Sequence, residues 1–254
     1  MRTNRYIIIV FLMVLWGQLV LAQTPEELFK QATESYNAAQ YQKAIDQYQG
    51  ILDLGQESSA LYYNLANAHY KLNNVAESIY YYEKALKLNP DNEDAQNNIV
   101  FAQQMTVDAI TPLPKTWLRG VSDRFISIFS LQVWSILPIL GVFVFVMSFL
   151  LYYFSQKTIF KRIFFTLMLL ALIGSIGTYF IADFHKKSIE SQRYAIMFDK
   201  ATPVFAEPNA YGAEMFSLHE GTKVEVIDYL NDWVKIRLAD GKIGWAMQTT
   251  LRVL

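Results

Sequence analysis

The residue types that could do chemistry are few and lie far apart. The three histidines, His69, His185 and His219, fall in three different segments, whereas a metal site needs its ligands together. The chain has no cysteine, which excludes disulfides, thiolate metal sites and cysteine nucleophiles. No glycine-rich phosphate loop and no nucleophile elbow occurs. A Ser–His–Asp set could be assembled from so many residues, but no spacing points to one. We therefore expect no catalytic site, no cofactor and no metal, and predict that the chain is not an enzyme.

A repeat of 34 residues runs through the first half of the chain. Residues 61–90 alternate small and large side chains, and a shift of 34 positions finds the same pattern at 28–52. Ala32 and Ala66 are equivalent positions, at which a small side chain lets two helices approach closely. The pattern resembles a tetratricopeptide repeat, which is a pair of antiparallel helices that stacks on its neighbours. We expect two such repeats and a further helix from Glu93, together filling residues 23–114.

In tetratricopeptide modules the first helix of each repeat lines a concave groove that binds a partner segment. The resemblance places eight side chains there: Phe29, Thr33, Tyr36, Tyr63, Asn67, Tyr70, Asn97 and Phe101. Modules that grip a C-terminal carboxylate use lysine or arginine at several of these positions. Here aromatic and amide side chains predominate, which favours an apolar or extended peptide. The alternative for each tyrosine is that it only packs between helices.

Two long uncharged segments indicate membrane spans. Hydrophobic residues make up 53% of the chain and charged residues 18%. The segments 133–154 and 163–182 carry no charge over 22 and 20 residues, and each is long enough for the roughly 30 Å hydrocarbon core. Buried helices of a large soluble core would show a polar stripe, which these segments lack. We therefore predict two transmembrane helices, with an interfacial linker at 115–132 before the first.

The N-terminal segment and the loop between the spans predict on which side of the membrane the flanking domains lie. Arg2 and Arg5 precede an apolar run from Tyr6 to Trp16, and Val20-Leu21-Ala22 ends in a small residue. This order is typical of a secretory signal peptide at 1–22; the alternative is an uncleaved signal anchor. The loop at 155–162 has three cations and no acidic residue, as is usual on the cytoplasmic side. Both flanking domains are then expected in the periplasm of a bacterium, anchored to the lipid bilayer of the inner membrane.

Charge is divided unevenly along the chain, although the net formal charge is only −1. Residues 23–114 carry −7, whereas residues 115–187 carry +6. An acidic helical module repels polyanions within a Debye length, so nucleic acid is excluded as a partner. The positive charge belongs to the membrane flanks, where it faces anionic lipid headgroups.

After a linker at 183–193, residues 194–254 alternate with a period of two. Val224, Val226 and Val234 are expected to point inward, and Asp240-Gly241 is a hairpin turn. The order of strands and turns resembles a bacterial SH3 (SH3b) domain, an all-β barrel. The resemblance implies contacts with cell-wall peptides or proteins through exposed aromatic residues. Our candidates are Tyr211, Tyr229 and Trp233, whereas Trp245 is expected to be a core residue.

The order of a signal segment, helical repeats, a transmembrane hairpin and an SH3b domain resembles the BatE-type aerotolerance family of Bacteroidetes-type bacteria. Two motifs support this resemblance, Leu218 to Val224 and Ile236 to Gly241. It implies a role beside von Willebrand-type Bat membrane proteins and a MoxR-type ATPase. We expect a scaffold or adaptor that binds partner proteins in an envelope complex for aerotolerance or stress tolerance. The alternative is a peptidoglycan-binding protein that localises its partners.

Overall fold

The computed structural model describes residues 24–114, 116–191, 193–209 and 211–254. The predicted signal peptide at 1–22 lies outside these residues. Within them the chain has a helical module (residues 24–114), two long apolar helices and a C-terminal sheet domain (residues 193–254). The predicted fold class, an all-α repeat module and a small all-β domain with two apolar helices between them, is confirmed.

Five helices form the helical module: α1 Pro25–Asn37, α2 Tyr41–Asp53, α3 Ser59–Lys71, α4 Val75–Leu88 and α5 Glu93–Gln103. Three of them begin at a side-chain cap. Thr24 and Glu27 form a capping box at α1, and Ser58 and Asn92 accept from the third backbone N–H of α3 and α5. Such caps satisfy donors that a helix leaves free at its start.

The two hairpins, α1–α2 and α3–α4, repeat each other in detail. Ala32 and Ala66 are both fully buried where the paired helices approach closely. The turns also match, because Ala39 (φ 59°) and Asn73 (φ 63°), 34 positions apart, both adopt the left-handed conformation. The first repeat, which has the weaker sequence pattern, thus has the same structure as the second.

Three further helices follow: α6 Trp117–Ile126, α7 Leu131–Phe154 and α8 Thr158–Ser191. The predicted spans at 133–154 and 163–182 lie inside α7 and α8. The predicted loop at 155–162 is shorter, since α8 begins at Thr158. The predicted linker at 183–193 is helical as far as Ser191, because no proline or glycine interrupts residues 183–191 and the helix can continue. Helix α6 falls in the predicted interfacial linker.

Both α7 and α8 are long and apolar enough to cross a membrane, and only 11% and 6% of their most apolar stretches are buried within the protein. They pack as an antiparallel pair. The Ser175 hydroxyl donates to the Pro138 carbonyl at 2.8 Å, and a Cβ at Gly141 would lie 2.8 Å from Ser175 Cβ. Gly174 and Gly177, by contrast, face open space.

The sheet domain is one antiparallel sheet in the order β3-β2-β6-β5-β4-β1-β7. Its strands are β1 Tyr194–Met197, β2 Thr202–Phe205, β3 Glu214–Leu218, β4 Lys223–Leu230, β5 Trp233–Arg237, β6 Ile243–Met247 and β7 Leu251–Val253. Val224, Val226 and Val234 are buried as predicted. Gly241 makes the β5–β6 turn with φ +90°, a value that favours glycine.

Candidate functional site

The first helices of the helical module, α1, α3 and α5, meet at a cleft of about 170 Å³. Aromatic, amide and a single cationic side chain line it: Tyr36, Asn67, Tyr70, Lys71, Tyr82, Asn98 and Phe101. We call this set the groove. Tyr82 comes from α4, the second helix of its repeat, and closes the floor.

The floor of the groove is a network of neutral hydrogen bonds. Asn67 Oδ1 accepts from the Tyr82 hydroxyl and from Asn98 Nδ2 at 3.0 Å. Asn98 also donates to the Tyr63 hydroxyl at 3.2 Å. Burial raises the pKa of Tyr82 and of Tyr36, so both hydroxyls stay protonated at neutral pH. The groove therefore offers neutral donors and acceptors on an aromatic surface.

Four of the eight predicted groove residues, Tyr36, Asn67, Tyr70 and Phe101, line this cleft. Asn97 does not: it is exposed, and its neighbour Asn98 takes the predicted place. Asn97 lies 34 positions after Tyr63, and neither of these equivalent residues lines the cleft.

The other three predicted residues lie nearer the packed interior. Thr33 donates to the Phe29 carbonyl and contacts the Tyr48 hydroxyl at 3.1 Å. Phe29 packs its edge on Tyr48 and lines a separate cleft of about 340 Å³ near the start of α3. Tyr63 and the groove residue Tyr70 are partly buried against the helical core. Packing between helices, the alternative left open for each tyrosine, thus holds in part for these two.

The helical module and the sheet domain contact each other directly, which the sequence patterns did not indicate. Asp108, just after α5, accepts three hydrogen bonds from the turn before β4. The donors are the His219 backbone N–H (2.7 Å), the Thr222 hydroxyl (2.6 Å) and, when protonated, His219 Nδ1 (2.7 Å). We call His219–Thr222 the docking turn. Burial acts to raise the pKa of Asp108, but these hydrogen bonds outweigh it and lower the pKa.

Close packing surrounds these polar contacts. Gly221 in the docking turn has φ +84°, and a Cβ there would lie 2.9 to 3.0 Å from side-chain atoms of Thr106, Ile79 and Val75. The ammonium of Lys223 lies 2.7 Å from a Glu83 carboxylate oxygen. The positive φ and these close side-chain contacts both favour glycine at position 221.

A second set of contacts extends the interface along α4. Ile196 of β1 is fully buried in the core cluster of the helical module, and Phe198 packs its ring on Tyr80 at 5.7 Å. The Lys87 ammonium donates to the Leu254 carbonyl at 2.8 Å. Apolar burial and ion pairs thus join the two domains, while the cleft between α1, α3 and α5 stays open.

Each histidine outside the apolar helices has a structural role. His69 packs on Tyr81 and accepts from, or donates to, Asn74; burial, aided by the charge of Arg252, lowers its pKa to about 4. His219 belongs to the docking turn. The Thr222 hydroxyl there donates to Asp108 rather than to the imidazole, unlike the nucleophile of a catalytic triad. Among the described residues no group of three His, Asp or Glu side chains could hold a metal ion.

The predicted aromatic contacts of the sheet domain do not share one surface. Trp233 packs its ring edge on Phe205 at 5.6 Å. Tyr229 pairs with buried Val234 and so lies on the other side of the sheet from Trp233, and Tyr211 is fully exposed in a loop.

Trp245, predicted to be a core residue, is instead half-buried beside Phe205 on the outer face of the sheet. The ammonium of Lys235 lies 5.7 Å from its ring centroid. One aromatic face is therefore formed by Trp233, Phe205 and Trp245. The alternation of inward and outward positions along β5 and β6 is the sequence pattern that would have predicted it.

Comparison with family models identifies both folded parts. A tetratricopeptide repeat model matches residues 59–92, which include α3 and α4. A bacterial SH3 domain model matches residues 200–251, from the start of β2 into β7. The search of curated proteins found no match. The helical module thus contains a tetratricopeptide repeat and the sheet domain is a bacterial SH3 domain; membership of the aerotolerance family stays a prediction.

Replacing Gly221 should loosen the interface between the domains. Gly221→Ala adds a Cβ that clashes with α4, whereas Gly55→Ala is a matched control, since Gly55 also has positive φ (76°) but open space around it. Left-handed backbone strain of about 1–2 kcal/mol is common to both variants. Amide exchange measured by mass spectrometry should increase across 75–88 only in Gly221→Ala. Equal exchange in that segment for both variants would contradict the docked arrangement.

Acid should remove the contribution of the Asp108 carboxylate to the stability of the folded chain. A carboxyl with a lowered pKa stabilises the fold at pH above its ordinary value of 3.8, and this contribution is lost as the pH falls through the lowered value. Asp108→Asn should destabilise the chain by about 1–3 kcal/mol at neutral pH, and the difference from wild type should shrink below pH 3.8. Thermal unfolding across this pH range measures it. Asp91→Asn, at an exposed position, is the control, and a deficit that persists in acid would refute the assignment.

Proposed function

We propose that this protein is a non-enzymatic, membrane-anchored scaffold that binds an extended segment of a partner protein in the groove. The observation that carries the proposal is the open cleft of neutral tyrosine, phenylalanine and asparagine side chains where α1, α3 and α5 meet. The tetratricopeptide repeat and the bacterial SH3 domain, both frequent in protein recognition, support it.

The chemistry of the groove favours the main chain of a peptide over its terminal carboxylate. Asparagine amides and tyrosine hydroxyls can pair with peptide N–H and C=O groups, and the aromatic rings provide apolar contact area. Lys71 is the single cation among the residues that line the cleft. A carboxylate would need several fixed cations or N–H donors to replace its hydration. We therefore propose an internal, extended segment as the ligand.

Anchoring is proposed through α7 and α8. Their side chains are mostly exposed although strongly apolar, and lipid is the surrounding that such side chains favour. The helical module precedes this hairpin and the sheet domain follows it, and the contact between the two supports placing both on one side. The signal-like N-terminus and the cationic loop at 155–162 favour the periplasmic side of the bacterial inner membrane.

The partners proposed by resemblance are von Willebrand-type Bat proteins and a MoxR-type ATPase system, in a complex for aerotolerance or stress tolerance. Structural roles for His69 and His219 support a function without catalysis. The order of modules in the chain, rather than any site geometry, is the basis for this choice of partners.

A second candidate function is binding to peptidoglycan through the sheet domain. The observation that favours it is the aromatic face of Trp233, Phe205 and Trp245 with Lys235 beside it. Muropeptides carry carboxylates and apolar side chains, to which a cation beside aromatic rings is suited. Retention on purified peptidoglycan that is lost in Trp233→Ala, with groove variants unaffected, would favour this function.

Truncating the exposed ring of Phe101 should weaken partner binding without unfolding the protein. Phe101 is 55% exposed and lines the groove, whereas its neighbour Val100 is 48% exposed and does not. Surface truncations usually change stability by about 0.5 kcal/mol or less, while aromatic anchors contribute roughly 2 kcal/mol or more to binding.

Co-purification of partner proteins and thermal unfolding should both be measured for Phe101→Ala and Val100→Ala. We expect lower partner yield, by at least about tenfold, only for Phe101→Ala, and unchanged unfolding for both. Peptides selected on the groove should bind equally with free and amidated C-termini. A requirement for the free carboxylate, or equal yields from both variants, would overturn the proposed site.

A reporter that is active only in the cytoplasm tests the proposed topology. Activity is expected when it is inserted between Lys157 and Thr158, in the connection of α7 to α8, and no activity when it is fused after Leu254. Activity at the C-terminal position would contradict the periplasmic placement of the sheet domain, and with it that of the groove.

A further inference from the structure

Helix α6 carries an exposed apolar stripe. Trp117, Val121 and Phe125 recur every fourth residue, and their exposed fractions are 74%, 57% and 50%. Residues at this spacing lie on one face of a helix. An amphipathic helix normally turns such a face to the protein core, so its exposure here needs another explanation.

The opposite face of α6 carries polar side chains and Ile126, and it borders a cavity of the protein. Arg119, Ser122 and Asp123 line a cavity of about 1230 Å³, together with Phe184 and His185 from the end of α8. From Val121 at the centre of the stripe, positions 119 and 122 lie about 160° and about 100° around the helix. The stripe therefore points away from α8 and the sheet domain.

The position of α6 along α8 sets its level relative to the apolar spans. The part of α8 that shares the cavity with α6 runs from Phe184 to Ile189, and the uncharged run of α8 ends at Ala182. At 1.5 Å per residue, this part lies about 3–10 Å beyond the end of the run. In a bilayer this is the level at which acyl chains give way to headgroups.

Packing at the start of α7 holds α6 at this level. The Trp134 indole N–H donates to the Ile126 carbonyl at 2.8 Å. The Trp134 ring also lies between Phe125 and Phe129, at centroid distances of 5.8 and 5.4 Å. Beyond this point the exposed side chains of Ile128 and Val133 join the stripe to the apolar surface of the long helices.

We propose that α6 is an interfacial helix that lies along the membrane surface, with its apolar stripe in lipid at the headgroup–acyl boundary. Arg124, exposed at the edge of the stripe, is placed to meet lipid phosphates. Continuity with the apolar surface of α7 identifies lipid as the occupant. The inference rests on the proposed membrane anchoring, and it adds a second attachment that orients the folded domains on the bilayer.

The natural chain has no cysteine, so single-cysteine spin labels can test this in the full chain. The protein is reconstituted in nanodiscs of phosphatidylethanolamine and phosphatidylglycerol, and label accessibility to oxygen is compared with accessibility to a water-soluble nickel chelate. Labels at positions 117, 121 and 125 report on the stripe, and labels at 119 and 122 on the opposite face. Three independent stripe positions keep the test valid if one variant folds poorly.

Two reference labels calibrate membrane depth. Ile139, 57% exposed in α7, reports the bilayer interior, and Tyr211, fully exposed in the sheet domain, reports water. We expect an oxygen-to-nickel ratio at the stripe that is severalfold above that of Tyr211 and below that of Ile139. The oxygen-to-nickel ratio at positions 119 and 122 should be lower than at the stripe, because these positions lie on the other face of the helix.

The outcomes separate this inference from the anchoring on which it rests. A water-like ratio at the stripe with a lipid-like ratio at Ile139 would overturn the interfacial helix and leave the anchor standing. A water-like ratio at Ile139 would overturn both. Low accessibility of the stripe to both reagents would show a protein contact instead of lipid, and would also overturn the inference.

Discussion

The docking turn rests against α4 and Asp108, and the arrangement of the helical module and the sheet domain depends on this contact. Gly221 lies directly against the side chains of Val75 and Ile79, which are both buried. The carboxylate of Asp108 fixes the turn because it accepts hydrogen bonds from the His219 backbone N–H and the Thr222 hydroxyl, which would otherwise be unpaired donors. Such contacts are directional, so they set one orientation, whereas the apolar burial around Ile196 provides most of the driving force.

This arrangement matters for a repeat module of minimal length. Two repeats and one further helix leave a large share of their apolar surface at the ends and along the second helices. Here the sheet domain covers α4, and Ile196 completes the core cluster of the second repeat. The first helices, with Tyr36, Tyr70 and Phe101, are left open. Stability and binding are thus assigned to different surfaces of the same short module.

The features that could be predicted from the sequence are those that depend on local periodicity. The features that depend on contacts between distant residues could not be predicted. The repeat length predicted α1 to α4, and alternation predicted β4 and β5. Asp108 and His219 are 111 positions apart, and no pattern connects them. A bulge between Val226 and Asp228 shifts the pairing with β5, so that side chains after it exchange faces.

That bulge explains why Tyr229 and Trp233, predicted together, lie on opposite sides of the sheet. The groove was predicted in part. The shift of 34 positions places both Asn67 and Phe101 in the cleft, but it pairs Asn97 with Tyr63, which packs against the helical core. An interfacial linker was predicted at 115–132, but its helix and exposed stripe were not, because a ten-residue helix with glycine in its middle gives a weak signal beside the long apolar runs that follow.

The covalent link through α6, α7 and α8 changes how strong the docking contact has to be. Two domains on one chain meet at an effective concentration of about a millimolar, so an interface with a dissociation constant of about 100 μM between separate molecules would be closed roughly ten times as often as open. A modest interface is then enough for a mostly closed state and still permits brief separation. A cut in the connection of α7 to α8 would leave each domain on one apolar helix, and the docking contact would then depend on the packing between these two helices.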